Sequence, residues 1–500
     1  MKKHTFALTL LWFVFWGISI LFNHFWNGWH IGIINLSFTI LASLISLVII
    51  YENRDPSRTI TWLTALSINP IIGFLFYLLF GRSYRKKNIF AQKLEFDKRY
   101  FERGQKELAS QFYTLSNYKK ILKLSHNIGE FPISFHTNTK VLTNGQETFP
   151  AILSELKQAA HHIHLEYYII RDDEIGNVIK DVLIEKAKAG VEIRVLYDWV
   201  GCFQLSDTYI SDLRKYGVKV EPFLPVTFRL FNNRINFRNH RKIIVIDGKK
   251  GFVGGLNIGD EYLGKDKQLG FWRDTHLFLE GECVASLQTI FFQDWMYATK
   301  ESFDFQRYFP RFPSTQETFG GVQIAAGGPD KEWESIKNLF FSMITSAKES
   351  IWLASPYFVP DPDVLSALKI AALSGLDVRI LFPAKPDKKI VFYASHSYFE
   401  ELLKAGVKLY EYQKGFIHSK ILIVDNVLSS VGTSNIDMRS FHLNFEVNVF
   451  LYETESTQQL VENHKIDELD SKELTFAAFS ERSFKDRTFE SFARLLSPLL

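Results

Sequence analysis

The sequence predicts an α/β protein made of two repeated α/β sandwich halves that share one site, preceded by a helical, hydrophobic N-terminal region. Three observations carry this reading. Four segments recur in the same order in the two halves of the chain, short apolar strands alternate with helical stretches inside each half, and the N-terminal region holds three long apolar runs.

The repeat is read directly. Ile163-His-Leu-Glu-Tyr-Tyr-Ile-Ile matches Ile351-Trp-Leu-Ala-Ser-Pro-Tyr-Phe, and Ala189-Gly-Val-Glu-Ile-Arg-Val-Leu matches Ser374-Gly-Leu-Asp-Val-Arg-Ile-Leu. Lys215-Tyr-Gly-Val-Lys-Val then matches Lys404-Ala-Gly-Val-Lys-Leu, and His240-Arg-Lys-Ile-Ile-Val-Ile-Asp matches His418-Ser-Lys-Ile-Leu-Ile-Val-Asp. Four matches in one order do not arise by chance.

Within each half an apolar strand is followed by a helical stretch, Ile175–Ala189 or Pro362–Ser374, and then by a second strand, Val191–Tyr197 or Leu376–Phe382. That alternation implies βαβ units and a largely parallel sheet. Ile243–Ile246 is a continuous β-branched run, as in a strand buried on both faces. Asp247-Gly248 then turns the chain into Gly251-Phe-Val-Gly-Gly. The facing halves would place one motif each at a site between them.

The length of 500 residues exceeds one ordinary domain. We divide it into a membrane anchor with two or three apolar segments (1–87), a charged helical linker (88–130), a first half (131–312) and a second half (313–500). A net charge of +3 excludes a broad nucleic-acid-binding surface, and no nucleic-acid partner is expected. Two cysteines, Cys202 and Cys283, exclude a disulfide framework and a four-cysteine zinc site, and read as unpaired core thiols. No HExxH and no acidic cluster of metal-ligand spacing occurs, so neither metal nor other cofactor is expected.

Thr5–Phe22, Ile31–Tyr51 and Ile60–Phe80 each approach the roughly 20 residues of a membrane-spanning helix. A cleaved signal peptide does not fit the first run, because Asn23-His-Phe-Trp-Asn-Gly-Trp follows it instead of a small-residue cleavage site. Lys2 and Lys3, then Arg54 and Arg58, place both ends of a two-helix hairpin on the inner side. Asn69, Pro70 and Gly73 interrupt the third run, and Arg82, Arg85, Lys86 and Lys87 would fall outside if it spanned. The expectation is two spanning helices, a re-entrant or interfacial third segment, and a basic cluster facing anionic headgroups. The protein would then be multi-pass and integral to the membrane, with its catalytic region in the cytoplasm.

The chemistry rests on two copies of His-x-Lys-x4-Asp: His240, Lys242 and Asp247, and His418, Lys420 and Asp425. Residues two apart in a strand share a face, so each histidine lies beside its lysine. Gly254 and Asn257 follow the first copy, and Gly432 and Asn435 follow the second at the same offsets. This set suits a phosphodiester. Two lysines neutralise its charge, and the Asn257 and Asn435 amides donate to its oxygens. One imidazole attacks phosphorus, and the other protonates the departing alcohol and later deprotonates the incoming one. Asp274 and Glu446 lie in matching contexts, Arg273-Asp-Thr-His-Leu-Phe-Leu and Phe445-Glu-Val-Asn-Val-Phe-Leu, where a carboxylate would orient a histidine. Asp247 and Asp425 read equally well as reacting groups or as turn residues at strand ends. Phe223, Phe228, Phe231 and Phe237 precede His240 and are candidates for an apolar rim that holds acyl chains.

The doubled motif with its trailing Gly and Asn resembles the phospholipase D superfamily. Asp55-Pro-Ser-Arg through Trp62, Pro70, Gly73, Tyr77 and Gly81-Arg82, with Tyr167-Tyr168, Ser355-Pro-Tyr-Phe and Leu496-Ser-Pro-Leu-Leu, resemble the bacterial cardiolipin synthases over nearly the whole chain. The resemblance implies two phospholipase D-like halves around a shared active site in a bacterial inner-membrane phosphatidyltransferase. It implies that two phosphatidylglycerol molecules give cardiolipin and glycerol through a phosphatidyl-histidine. It also implies that His240, Lys242, Asp247, His418, Lys420 and Asp425 are the catalytic set, with His240 attacking and His418 protonating glycerol. A hydrolytic phospholipase D or a phosphatidylserine synthase would use the same six residues. An inactive membrane scaffold predicts a broken motif, and neither copy is broken.

Overall fold

In the computed structural model the chain divides into two units, residues 1–88 with 227–236, and residues 89–226 with 237–500. The structure describes residues 29–51, 56–68, 116–129, 131–225, 236–301, 306–310, 312 and 320–497, together with Pro70, Gly73, Phe74, Tyr77 and Lys93 singly.

In the first unit, Trp29–Tyr51 and Pro56–Ile68 are helices. The second opens on Pro56, which suits a first helical turn, and stops at Ile68, just before Asn69-Pro70. Ala42, Ile49, Leu66 and Tyr77 form a small core here, and the Trp62 and Tyr77 rings meet edge to face with centroids 5.5 Å apart. Gly73 lies so close to the second helix that a Cβ there would fall 2.4 Å from the Ala65 carbonyl oxygen. Among the described residues no helix is long and apolar enough to cross a membrane. The expected run Thr5–Phe22 lies outside the described residues.

The second unit contains the repeat. In the first half seven strands line up in the order Thr137–Thr143, Thr275–Gly281, Lys250–Gly254, Lys242–Ile246, His162–Tyr167, Glu192–Asp198, Lys219–Phe223. The second half repeats this series as Gly321–Gly327, Glu446–Tyr452, Leu428–Gly432, Ile421–Val424, Ser350–Ala354, Asp377–Pro383, Lys408–Tyr412, and adds an edge strand at each end. The sheets are mixed, not largely parallel as expected. His162–Tyr167, Glu192–Asp198 and Lys219–Phe223 run parallel, but the strand after each histidine pairs antiparallel with both neighbours. The tight turn Asp247-Gly248-Lys249 sets the pairing of Lys242–Ile246 with Lys250–Gly254, because so short a connection joins only antiparallel strands.

Alternation along the histidine strands ties the halves together. Ile244 and Ile246 enter the core of the first half, and Leu422 and Val424 enter that of the second. Ile243, Val245, Ile421 and Ile423 meet in a third core between the two sheets, capped by Leu287 from helix Val284–Thr299 and Leu460 from helix Glu455–Leu469. Burying each such side chain contributes roughly 1.5–3 kcal/mol. Part of the expected linker belongs to this packing: Ile121 and Leu122 of helix Lys119–Gly129 are buried in the core of the second half.

Candidate active site

Each histidine is suspended from the opposite half. The His240 N–H donates to the Phe445 carbonyl at 2.9 Å, and the Phe445 N–H donates to the Arg238 carbonyl at 2.8 Å. The His418 N–H donates to the Arg273 carbonyl at 2.7 Å, just after Gly415–Ile417 pairs in parallel with Phe271–Arg273. Phe445 and Arg273 are the residues before the two matching acids. The imidazoles are thereby brought to carboxylates across the repeat: His240 Nδ1 lies 2.9 Å from Glu446 Oε2, and the His418 ring makes the reciprocal bond to Asp274. Asp274 and Glu446, the two acids of matching context, thus each meet the histidine of the other half, a crossing the sequence does not display.

Both acids are fully buried. Burial pushes the Glu446 carboxyl up, but the His240 charge, its hydrogen bond and Lys242 together hold it below the usual range; His418 and Lys420 do the same for Asp274. Ionised acceptors put the bridging protons on Nδ1, which leaves each Nε2 as the basic nitrogen. Burial is also the main influence on the histidines, lowering His240 to about 4 and His418 to about 3 against the pull of their carboxylates. Each side chain retains some exposure, 12% for His240 and 10% for His418.

The lysines converge on the same place. Lys242 Nζ donates to the His240 carbonyl at 2.7 Å, and Lys420 Nζ donates to that of His418. Burial lowers Lys242 to about 7 and Lys420 to about 8; the Lys420 charge further depresses Lys242, and each lysine depresses the opposite histidine. A site with two crowded ammonium groups and two neutral imidazoles attracts an anion. A bound phosphate restores the lysine charges and raises the affinity of the imidazoles for a proton.

Two buried arginines, which the sequence reading missed, brace the acids from behind. Arg241 Nε donates to the Glu446 carbonyl at 3.1 Å, and Arg273 Nη1 donates to that of Asp274 at 2.6 Å. Each is paired with an aspartate on a helix, Arg241 with Asp294 of Val284–Thr299 and Arg273 with Asp467 of Glu455–Leu469 in the other half. Lys93 also bonds Asp294, at 3.3 Å. Asn239 Nδ2 donates to Glu166 Oε1 at 2.6 Å; burial, then the nearby Asp294, pushes the Glu166 carboxyl well up. The Tyr168 ring packs edge to face on His240, and the Trp272 ring lies 5.1 Å from that of His418.

The two aspartates of the motif lie elsewhere. Asp247 stands at the far end of the His240 strand, about 20 Å along it, and its carboxylate accepts the Ala160, His161 and His162 N–H groups at 2.7–2.9 Å. Asp425 accepts those of Lys348, Glu349 and Ser350 in the same way. Both occupy tight turns with positive φ, 55° at Asp247 and 52° at Asp425. Their placement in the catalytic set is corrected: they clamp a turn onto the start of the neighbouring strand. Asn257 and Asn435 are buried too. Asn257 accepts from the Ile169 N–H and donates to Tyr262 Oη, and Asn435 Nδ2 faces Ser440 Oγ. Phe223 and Phe237 are core residues packed with Trp295 and Phe445, so they form no rim; Phe228 and Phe231 lie outside the described residues. The signal for the arginines was thin: one follows a histidine and the other precedes an acid, so no shared motif exposes them.

Residues 152–295 and 340–466 match the family described as cardiolipin synthase, PLD-like domain, and residues 40–82 match the phospholipase D-nuclease N-terminal family. The chain is 57% identical to a cardiolipin synthase of Geobacillus sp. strain WCH70, with 96% of each chain covered. It is 55% identical to a cardiolipin synthase of Halalkalibacterium halodurans, with 95% of each covered. Its fold is similar to that of phosphatidylserine synthase from Haemophilus influenzae Rd KW20, with a TM-score of 0.57 at 14% identity, over 76% of this chain and 100% of that one.

Proposed function

The chain belongs to the cardiolipin synthases of the phospholipase D superfamily, and from that premise we propose how its residues carry out phosphatidyl transfer. Phosphatidylglycerol enters with its phosphate between Lys242 and Lys420. The Nε2 lone pair of His240 attacks phosphorus and forms an N–P bond as the P–O bond to glycerol breaks. His418, charged once the phosphate anion has arrived, gives its Nε2 proton to the departing oxygen, and glycerol leaves. The headgroup hydroxyl of a second phosphatidylglycerol then loses its proton to His418. Its oxygen attacks phosphorus, and the N–P bond breaks to release cardiolipin and free His240. Glu446 and Asp274 fix the tautomers and support the imidazolium ions that form.

The observation that carries this reading is the crossed pair of imidazole–carboxylate bonds, which leaves two basic nitrogens beside two lysines. Residues 1–87 are read as the membrane anchor, with the catalytic region on the cytoplasmic side. The apolar runs of the sequence within residues 1–87, and the match of residues 40–82 to the phospholipase D-nuclease N-terminal family, support this. The test is labelled phosphatidylglycerol given to wild type, His240→Ala and His418→Ala. We expect equal cardiolipin and glycerol from wild type and neither from the variants. Phosphatidic acid with glycerol as the products would replace transfer by hydrolysis.

A further inference from the structure

The C-terminal helix Phe484–Leu495 packs with its apolar face outward. Its inward side offers Glu490 and Ala493, each 5% exposed, and Glu490 is held by Arg482. On the other side Phe484, Phe489, Phe492, Leu495 and Leu496 are 86%, 47%, 66%, 67% and 39% exposed. At about 100° per residue these five fall on one stripe. A helix in water buries such a stripe, and a contiguous exposed apolar patch marks a contact surface.

The patch continues onto helix Lys389–His396, where Ile390 is 45% exposed and the Tyr393 ring stacks on Phe489 with centroids 5.4 Å apart. Its fringe is basic. Lys485 Nζ lies 5.9 Å from the Phe489 ring centroid, and Lys385, Lys388 and Lys389 are exposed on the adjoining loop. The one acid in that loop, Asp387, accepts a hydrogen bond from Tyr357 Oη. Lys388 Nζ stands 5.5 Å over the Tyr357 ring, and Asp387 bears electrostatically on Lys420. The patch is thus joined to the active site through a single loop.

We propose that this face is a lipid-docking surface. The five apolar side chains enter the headgroup–acyl boundary of an anionic bilayer, and the lysine fringe meets its phosphates. Docking holds the active site at the depth of its substrate's headgroups. The inference rests on the phosphatidyl-transfer reading, which requires substrates that reside in a bilayer.

The experiment uses the full chain in vesicles that contain phosphatidylglycerol. Cys202 and Cys283 are buried, so a nitroxide attaches selectively at Phe484→Cys or Phe492→Cys. Both labels should meet oxygen several-fold more readily than a water-soluble nickel chelate. Preferential access to the chelate overturns the proposal. So does exclusion of both reagents, with spin–spin broadening if a second copy covers the face and without it if another part of the chain does. A Phe484→Ser/Phe492→Ser variant should raise KM for bilayer phosphatidylglycerol at least about tenfold, since two rings leave the bilayer boundary, with kcat on dispersed short-chain substrate unchanged. An unchanged KM also overturns docking. Turnover by wild type in the same vesicles is scored separately: its absence refutes the transfer reading, whereas turnover with labels in water refutes docking alone.

Discussion

Nδ1 of His418 lies 2.7 Å from Oδ2 of Asp274, 144 residues earlier in the chain and in the other half of the repeat. Glu446 and His240 repeat the relationship in reverse across 206 residues. The two imidazoles are therefore held by equivalent bonds, and their separate roles must be told apart by chemistry.

Glu446→Gln and Asp274→Asn should each lower kcat by about 10²–10⁴ with KM changed only a few-fold, because a neutral amide supports an imidazolium poorly. A leaving group that needs no proton separates them. On phosphatidyl-p-nitrophenol, Asp274→Asn should regain most of the rate of the first, single-turnover release of p-nitrophenol, because His418 has nothing to protonate in that step. Glu446→Gln should stay slow. The opposite pattern makes His418 the nucleophile.

The pH profile follows from the buried bases. Lys242 near 7 and Lys420 near 8 are charged only below those values, so anion binding is lost as pH rises through them. His240 near 4 must be neutral to attack, so kcat/KM is lost as pH falls through that value. On a substrate whose leaving group needs no proton from His418, a bell between about 4 and about 7–8 is expected for kcat/KM, and Lys242→Arg should move its alkaline limb upward. A profile flat to about pH 9 would contradict the assignment, since an unperturbed lysine titrates near 10.4.

Asp247→Ala should act on stability and spare chemistry. It strands three strand-end amides, a loss of about 1–3 kcal/mol, seen as a lower urea midpoint at unchanged slope. At temperatures where the variant is folded, kcat should stay within about threefold, the margin of a group remote from the reacting atoms. A folded variant that has lost about 10³ in kcat would return Asp247 to the catalytic set.

Arg273→Met leaves Asp467 buried without its partner and should cost about 3–5 kcal/mol. Arg273→Met/Asp467→Leu removes both charges and should recover at least half of that stability. It should not recover activity, because the Asp274 carbonyl still lacks its donor. Full recovery of both would make the arginine structural only.

The repeat and the histidine–lysine pairs were legible because they are local: a strand of period two puts His240 beside Lys242 wherever it folds, and the two acids stood out only by their matching contexts. Which acid serves which imidazole was not legible, since two short parallel pairings between distant segments decide it. The aspartates of the motif misled because chemistry and turn formation favour the same residue after a buried strand, and only the positive φ and the captured amides separate them. The sheet direction misled for a related reason, as the βαβ units are real but the histidines sit on hairpins. Phe223 and Phe237 carried no signal that distinguishes a rim from a core.

The crossing makes catalysis a property of the seam and of neither half. A half cut free keeps one imidazole without an acceptor and one carboxylate with nothing to orient, so it is inert however well it folds. A chain with a single half of this design would become active only by dimerising about a two-fold axis. Joining two such halves in one polypeptide removes that dependence on concentration, and it leaves each half free to acquire its own surface as long as the seam is kept.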